Sequence, residues 1–274
     1  MAITAKEVNE LRKKTGAGMM DCKKALVEAD GNMEGAIDNL RKKGQKIAAK
    51  RGDRDASEGL VIAKASADKS KGIIVTLNCE TDFVAKNADF INFANKIADI
   101  AVESGVSTAA ELLTKDFDGS LSIGDKIVEQ TGVIGEKLEV KTLEIVEAAS
   151  VVVYNHPGNQ IATIVGLTKE AEDEGKQVAM QVAAMAPIAL DESEVSQETI
   201  DRELEVGKEL AIQEGKPAEM AAKIAQGRLK KFFKETTLLN QAFVRDNKKS
   251  VKQFLQDVDK DLTVTAFKRV SLSN

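Results

Sequence analysis

LVIAKASADKSKGIIVTLNC, Leu60 to Cys79, is the stretch on which the fold class turns. Two β-branched runs stand on either side of a polar turn, the pattern of a β-hairpin. Beyond it Phe90, Phe93, Ile97 and Ile100 recur at three- and four-residue steps, the period of a helix with one apolar face. The chain spells this design a second time. VVVYNHPGNQIATIVGL, Val151 to Leu167, sets two more runs around HPGN, and a helix follows with Val178, Val182 and Met185 on one face. Between the two lie ELLT, a polar loop, a helix SIGDKIVEQTG and a strand LEVKTLEIVEA, Leu138 to Ala148. An α+β fold is expected, with a two-part core of small antiparallel sheets, each backed by helix.

Upstream, Thr4 with Glu7 reads as a capping box and Ile3 with Val8 as its hydrophobic staple. TGAGMM, Thr15 to Met20, should stop the first helix near Lys14. Asp21 is placed to cap a second helix, CKKALVEAD, ending at Gly31-Asn32. A third, MEGAIDNLRKKG, turns Ile37 and Leu40 inward and should end at Gly44. Three helices this short bury little. The polar, charged stretch Gln45 to Gly59 reads as helix and then linker, with a boundary near Gly52 to Ser57.

Downstream, Ser196 is a good N-cap, and Ile200, Leu204 and Ala211 form a narrow stripe. Pro217 suits the first position of a partner helix carrying Met220 and Ile224. Two such stripes close on each other as an antiparallel helical hairpin, 196–232, protruding from the body. A helix near Val251–Val258 and a strand LTVTAFKRV complete the chain. The expected domains are therefore 1–54, a helical bundle with linker; 55–148, the first part of the core; and 149–274, the second part with its hairpin.

Composition narrows the function. The 274 residues, 43% hydrophobic and 30% charged, suit two or three packed globular modules. No run approaches 18 apolar residues, and the first residues carry no apolar signal core, so a cytoplasmic protein without a membrane span is expected. A net charge of −5 lacks the basic excess of a phosphate-gripping groove, and the absence of Trp removes base-stacking platforms, so no direct nucleic-acid contact is expected. Cys22 and Cys79 stand far apart without a CxxC, which fits a reducing compartment.

Chemistry is sparse. His156 is the single histidine, in a turn after Tyr154, so a His-based metal cluster or relay within one chain is excluded. GAGMMD, Gly16 to Asp21, follows a helix and lacks the third glycine of a dinucleotide loop, and no GxxxxGK[ST] occurs. Asp116 and Asp118 before Gly119 lack the closing glutamate of a calcium loop. No catalytic residue, cofactor or metal site is expected, and a binding protein is the better class than an enzyme.

Two features suit binding. Met19 and Met20 adjoin a glycine turn; they serve either as core filling or as an adaptable contact surface. In NCETDFVAKN, Asn78 to Asn87, Phe83 lies seven residues before Phe90 and would extend the same helix face. Lys86 and Asn87 interrupt that face with polar groups, which tilts Phe83 outward without deciding the matter. Thr81 or Asp82 can cap the helix start and so hold the ring in place.

TGAGMMDCKKAL (Thr15–Leu26) and TDFVAKN (Thr81–Asn87) resemble the two signature stretches of bacterial elongation factor Ts. The order of parts is similar too: a small ubiquitin-associated-like (UBA-like) three-helix bundle, a two-part core and a protruding helical hairpin. The resemblance implies a guanine nucleotide exchange factor of translation elongation, not an enzyme. Its partner would be elongation factor Tu, in GDP-bound and nucleotide-free states. It further implies that Thr81, Asp82, Phe83 and Val84 disturb the partner's magnesium and phosphate site, with Phe83 as the wedge. Met19, Met20 and His156 would make other partner contacts. The chain ends soon after LTVTAFKRV, without the extra C-terminal helical module of some members, and dimerisation through the hairpin is left open. The alternative is a non-catalytic adaptor or chaperone-like module that binds without speeding exchange.

Overall fold

A computed structural model describes residues 3–272. The chain is α+β and divides into two compact units. One holds the residues up to Ile62, Ile74–Glu144 and the chain end from Ser271; the other holds Ala63–Ile73 and Ile145–Val270.

The first unit begins with α1 (Ala5–Thr15), α2 (Met19–Glu28) and α3 (Met33–Arg51). The capping box forms as read: the Thr4 side chain accepts from the Glu7 N–H, and the Glu7 carboxylate accepts from the Thr4 N–H at 2.7 Å. Gly16 stops α1 in the left-handed region at φ 71°, where a side chain would be strained. Val8, Leu11, Cys22, Leu26 and Ala36 fill the core between the three helices, with Ile3, Ile37 and Leu40 half-buried against it.

Two boundaries differ from expectation. Gly18, not Asp21, is the N-cap of α2. Asp21 sits instead in the first turn, where its charge still favours the positive helix end, and it pairs with Lys43. Helix α3 does not stop at Gly44 but runs on to Arg51. Gly44 is where α3 meets α7 (Ile123–Ile134): a Cβ on Gly132 would lie 2.5 Å from the Gly44 Cα. Missing side chains here serve close helix packing rather than termination.

After the linker, β1 (Glu58–Ala65) and β2 (Lys71–Cys79) form the expected hairpin, and β3 (Leu143–Glu147) completes the order β1-β2-β3. The last strand is shorter than the stretch Leu138–Ala148; its start survives as a single bridge between Asn78 and Glu139. A one-turn helix α4 (Asp82–Ala85) then leads to α5 (Ala88–Glu103), followed by the short α6 (Ala109–Leu113) and α7. On α5, Phe90 and Ile97 are buried as read, but Ala94, Ala98 and Ala101 do most of the remaining burial, leaving Phe93 and Ile100 half-exposed.

In the second unit β4 (Ser150–Asn155) and β5 (Ile161–Leu167) pair antiparallel, with Val152 opposite Val165 and Tyr154 opposite Thr163. Helix α8 (Glu172–Met185) packs Val178 and Val182 on this sheet, whereas Met185 is exposed at the helix end. The hairpin helices are α9 (Gln197–Gln213) and α10 (Ala218–Thr236), with Ser196 the N-cap of the first. Pro217 stands at the cap of α10, one place earlier than expected. The seam is made by Gly207, Ala211, Ala221 and Ala225, while Met220 faces outward. Small residues let the two backbones approach, so large apolar side chains are not needed. A two-stranded ribbon of β6 (Ala242–Phe243) and β7 (Asp246–Ser250), α11 (Val251–Val258) and β8 (Val264–Ser271) close the unit, in sheet order β4-β5-β8.

Candidate functional site

The segment between β2 and α5 is built to hold one ring in the open. Thr81 is the N-cap of α4, in extended conformation, and its hydroxyl oxygen accepts from the Val84 N–H at 3.4 Å. The same hydroxyl donates to Glu136 at 2.7 Å, and the Glu136 carboxylate also accepts from the Thr81 and Glu80 N–H groups at 3.0 and 3.1 Å. Glu80 is braced in turn: its carboxylate accepts from the Lys137 N–H at 2.6 Å and from Arg51 at 2.8 Å. Burial raises the Glu80 pKa, but the Lys137 N–H and the Arg51 guanidinium outweigh it and hold the group below its ordinary value. Behind the turn, Cys79 is fully buried and donates to the Thr81 carbonyl at 3.2 Å. Burial, followed by the nearby Glu136 charge, pushes its thiol up to about 12.

On the outer side, Asp82 accepts from Lys86 at 2.7 Å across one turn. That hydrogen bond is the main reason its carboxyl titrates below the usual range. The helix then breaks. Asn87 leaves the helical region at ψ 132° and caps α5 by accepting from the Asp89 N–H at 2.8 Å. The break rotates Phe83 away from the face of Phe90. Phe90 is 2% exposed and Phe83 82%, the largest exposure among the large apolar side chains of the described residues. Leaving such a ring in water forgoes about 2 kcal/mol of burial.

Met19 and Met20 lie in the first turn of α2 and are 56% and 66% exposed, so neither fills the bundle core. Thr15 and Gly16, which precede them, and Val84, which follows Phe83, line one shared cavity of the first unit. Thr81, Asp82, Phe83 and Val84 thus form a single turn, of which Val84 lines the hollow; Met19 and Met20 are not in its lining. His156 belongs to the second unit, exposed in the β4–β5 turn. Its Nδ1 lies 2.9 Å from the Tyr154 hydroxyl, and Asn159 at φ 54° completes the turn.

Glu136, Glu80 and Arg51, which brace the turn, are not marked by any local pattern; only an acid following a helix-ending glycine at Gly135 hints at the first of them. The rest of the molecule holds little reactive chemistry. Cys22 is buried and its thiol is pushed up by desolvation. Asp116 and Asp118 spend their oxygens on the N–H groups of Gly119, Ser120 and Leu121. Among the described residues no group of three or more His, Cys, Asp or Glu is placed to hold a metal, and no helix is long and apolar enough to cross a membrane.

Comparison with known proteins gives the family of the whole chain. Residues 80–274 match the family model described as elongation factor TS. The chain is 56% identical over 273 residues to elongation factor Ts of Christiangramia forsetii, covering 98% of each chain. It is 50% identical to that of Flavobacterium psychrophilum, again covering 98% of each, and 45% identical to that of Porphyromonas gingivalis, covering 100% of this chain and 99% of the relative. Matched by the family model over most of its length and by such relatives over nearly all of it, this chain belongs to the elongation factor Ts family.

Proposed function

We propose that this chain is a guanine nucleotide exchange factor for elongation factor Tu, and that the Thr81–Val84 turn is the part that loosens the partner's nucleotide. One observation carries the reading: Phe83 is 82% exposed on a turn whose two ends are pinned, by Thr81 to Glu136 and by Asn87 to Asp89. A ring already fixed in its binding geometry loses little conformational freedom on docking, which makes it an effective wedge. Magnesium and phosphate sites depend on closely oriented backbone groups, so a small displacement there weakens nucleotide binding strongly. By linkage, a factor that weakens GDP binding must itself bind the nucleotide-free partner more tightly than the GDP-bound one.

In this reading residues 1–54 carry the methionine contact through Met19 and Met20. Residues 55–148 carry the Phe83 turn with Asp82 beside it, and 149–274, including the hairpin 196–232, carry the His156 contact. The protein works in the cytoplasm, makes and breaks no covalent bond of its own, and needs no cofactor. The test is stopped-flow release of fluorescently labelled GDP from elongation factor Tu. Wild-type chain should accelerate release at substoichiometric amounts, and Phe83→Ala should slow that acceleration at least tenfold. Unchanged acceleration by Phe83→Ala would remove the wedge.

A further inference from the structure

We infer that the first unit contains a binding pocket for a small aromatic anion beside the Thr81–Val84 turn, and that filling it slows nucleotide exchange. The second clause rests on the function proposed above; the first does not. The cavity measures about 660 Å³, inside the range of about 300–1,000 Å³ usual for small-molecule sites. Its apolar walls include Val84, Phe90, Phe93, Phe117 and Val133. Three of the nine phenylalanines of a chain without tryptophan are thus gathered at one hollow. Phe93 and Phe117 meet edge to face at 5.3 Å, and the Lys96 ammonium stands 4.1 Å from the centre of the Phe117 ring.

Charge gives the class of ligand. Of the three lysines lining the cavity, Lys14 is paired with Glu10, and Lys126 with Asp118 and Glu129. Lys96 rests its ammonium on the Phe117 ring, and Asp89 is the one acid in the lining. An ammonium seated on an aromatic ring at the edge of an apolar hollow is poised for an anionic group on a flat apolar body. Such a ligand would place its charge on Lys96 and its rings against the phenylalanines. Val84 belongs to the turn that carries Phe83, and Asn87, also in the lining, caps α5. An occupant pressing on these two residues bears on the pinned geometry of the ring itself.

The probe is 1-anilinonaphthalene-8-sulfonate, an aromatic anion of this kind, titrated into the full-length folded chain. Saturable one-to-one fluorescence enhancement is expected, weakened at least tenfold by Lys96→Glu, a surface change that spares the core. Gln130→Trp, which fills the hollow from its lining, should abolish the enhancement. Circular dichroism should show both variants folded. Acceleration of GDP release should fall with the same probe dependence as the fluorescence, and in Lys96→Glu it should no longer respond to the probe. Absence of saturable binding, or binding equal in both variants, overturns the pocket. Binding without any effect on exchange overturns its regulatory role. A chain that binds the probe as expected yet never accelerates release would leave the pocket standing and remove the proposed function instead.

Discussion

Glu136 closes its carboxylate on Thr81, taking the hydroxyl at 2.7 Å and the backbone N–H at 3.0 Å. A residue just past the end of α7 therefore holds the N-cap of the turn that presents Phe83. The backbone of the turn that carries the ring is thus held from outside the segment.

Replacing Glu136 by Ala removes three hydrogen bonds to a charged acceptor, those from Glu80 N–H, Thr81 N–H and Thr81 hydroxyl. Water can replace part of them at this half-buried site, so urea unfolding should show a loss of about 2 kcal/mol. Acceleration of GDP release should fall severalfold although Phe83 is intact. In a double-mutant cycle, Glu136→Ala should cost much less on the Phe83→Ala background, because the two act as one device.

The close approach of Gly44 and Gly132 bears on the stability of the α3–α7 contact. A Cβ on Gly132 would meet backbone atoms of Gly44 at 2.5 and 3.2 Å, so Gly132→Ala must push α3 from α7. A loss of about 1–3 kcal/mol is expected in urea unfolding. Gly227 in α10 has open space around its Cβ position, and Gly227→Ala should gain about 0.5–1 kcal/mol through helix propensity. The opposite signs of the two substitutions make the comparison independent of any general effect of glycine.

Stability should fall on acidification partly through Glu80. Its folded pKa lies below the ordinary 4.5, because the Lys137 N–H and Arg51 favour the carboxylate more than burial disfavours it. A depressed carboxyl contributes stability that is full above the unfolded value and is lost as pH falls through the folded value. The contribution is thus complete above about pH 4.5 and decays below it. Glu80→Gln should lower stability at pH 7 and flatten the acid limb of the stability profile relative to wild type.

Cys79 gives the mirror case. Its thiol is raised from 9.0 to about 12, by burial first and the Glu136 charge second. A raised thiol contributes stability that is full below its free value and declines as pH climbs from about 9 toward 12. The stability difference between wild type and Cys79→Ala should shrink over that alkaline window. At pH 8 iodoacetamide should leave Cys79 unmodified in the native chain and label it in urea, as read by mass spectrometry.

Local signals were legible in the sequence because their causes are local. The Thr4–Glu7 capping box, the Ser196 cap, the helix Val251–Val258 and both strand pairs stand where period and capping chemistry place them. Some misreadings were local, such as Asp21 for Gly18 as the cap of α2; others arose where distant segments meet. Gly44 looks like a stop, and only α7 lying against it explains an uninterrupted helix. Met220 and Met185 look like core, yet small residues close the α9–α10 seam and Met185 stands exposed as the last residue of α8.

Phe83 draws the line between the two kinds of information. By itself the sequence offered Thr81 or Asp82 as the cap that begins the segment, and showed that Lys86 and Asn87 interrupt the apolar face. It left the ring between core and surface, because a seven-residue spacing to Phe90 suits both. Tertiary structure decided it: Asn87 breaks the helix and restarts it as a new cap, while Glu136, Glu80 and Arg51 anchor the turn from outside the segment. Caps and periods act over a few residues and are written in order along the chain. The hydrogen bonds that keep an apolar ring in water join residues far apart in it, and exist only once the chain has folded.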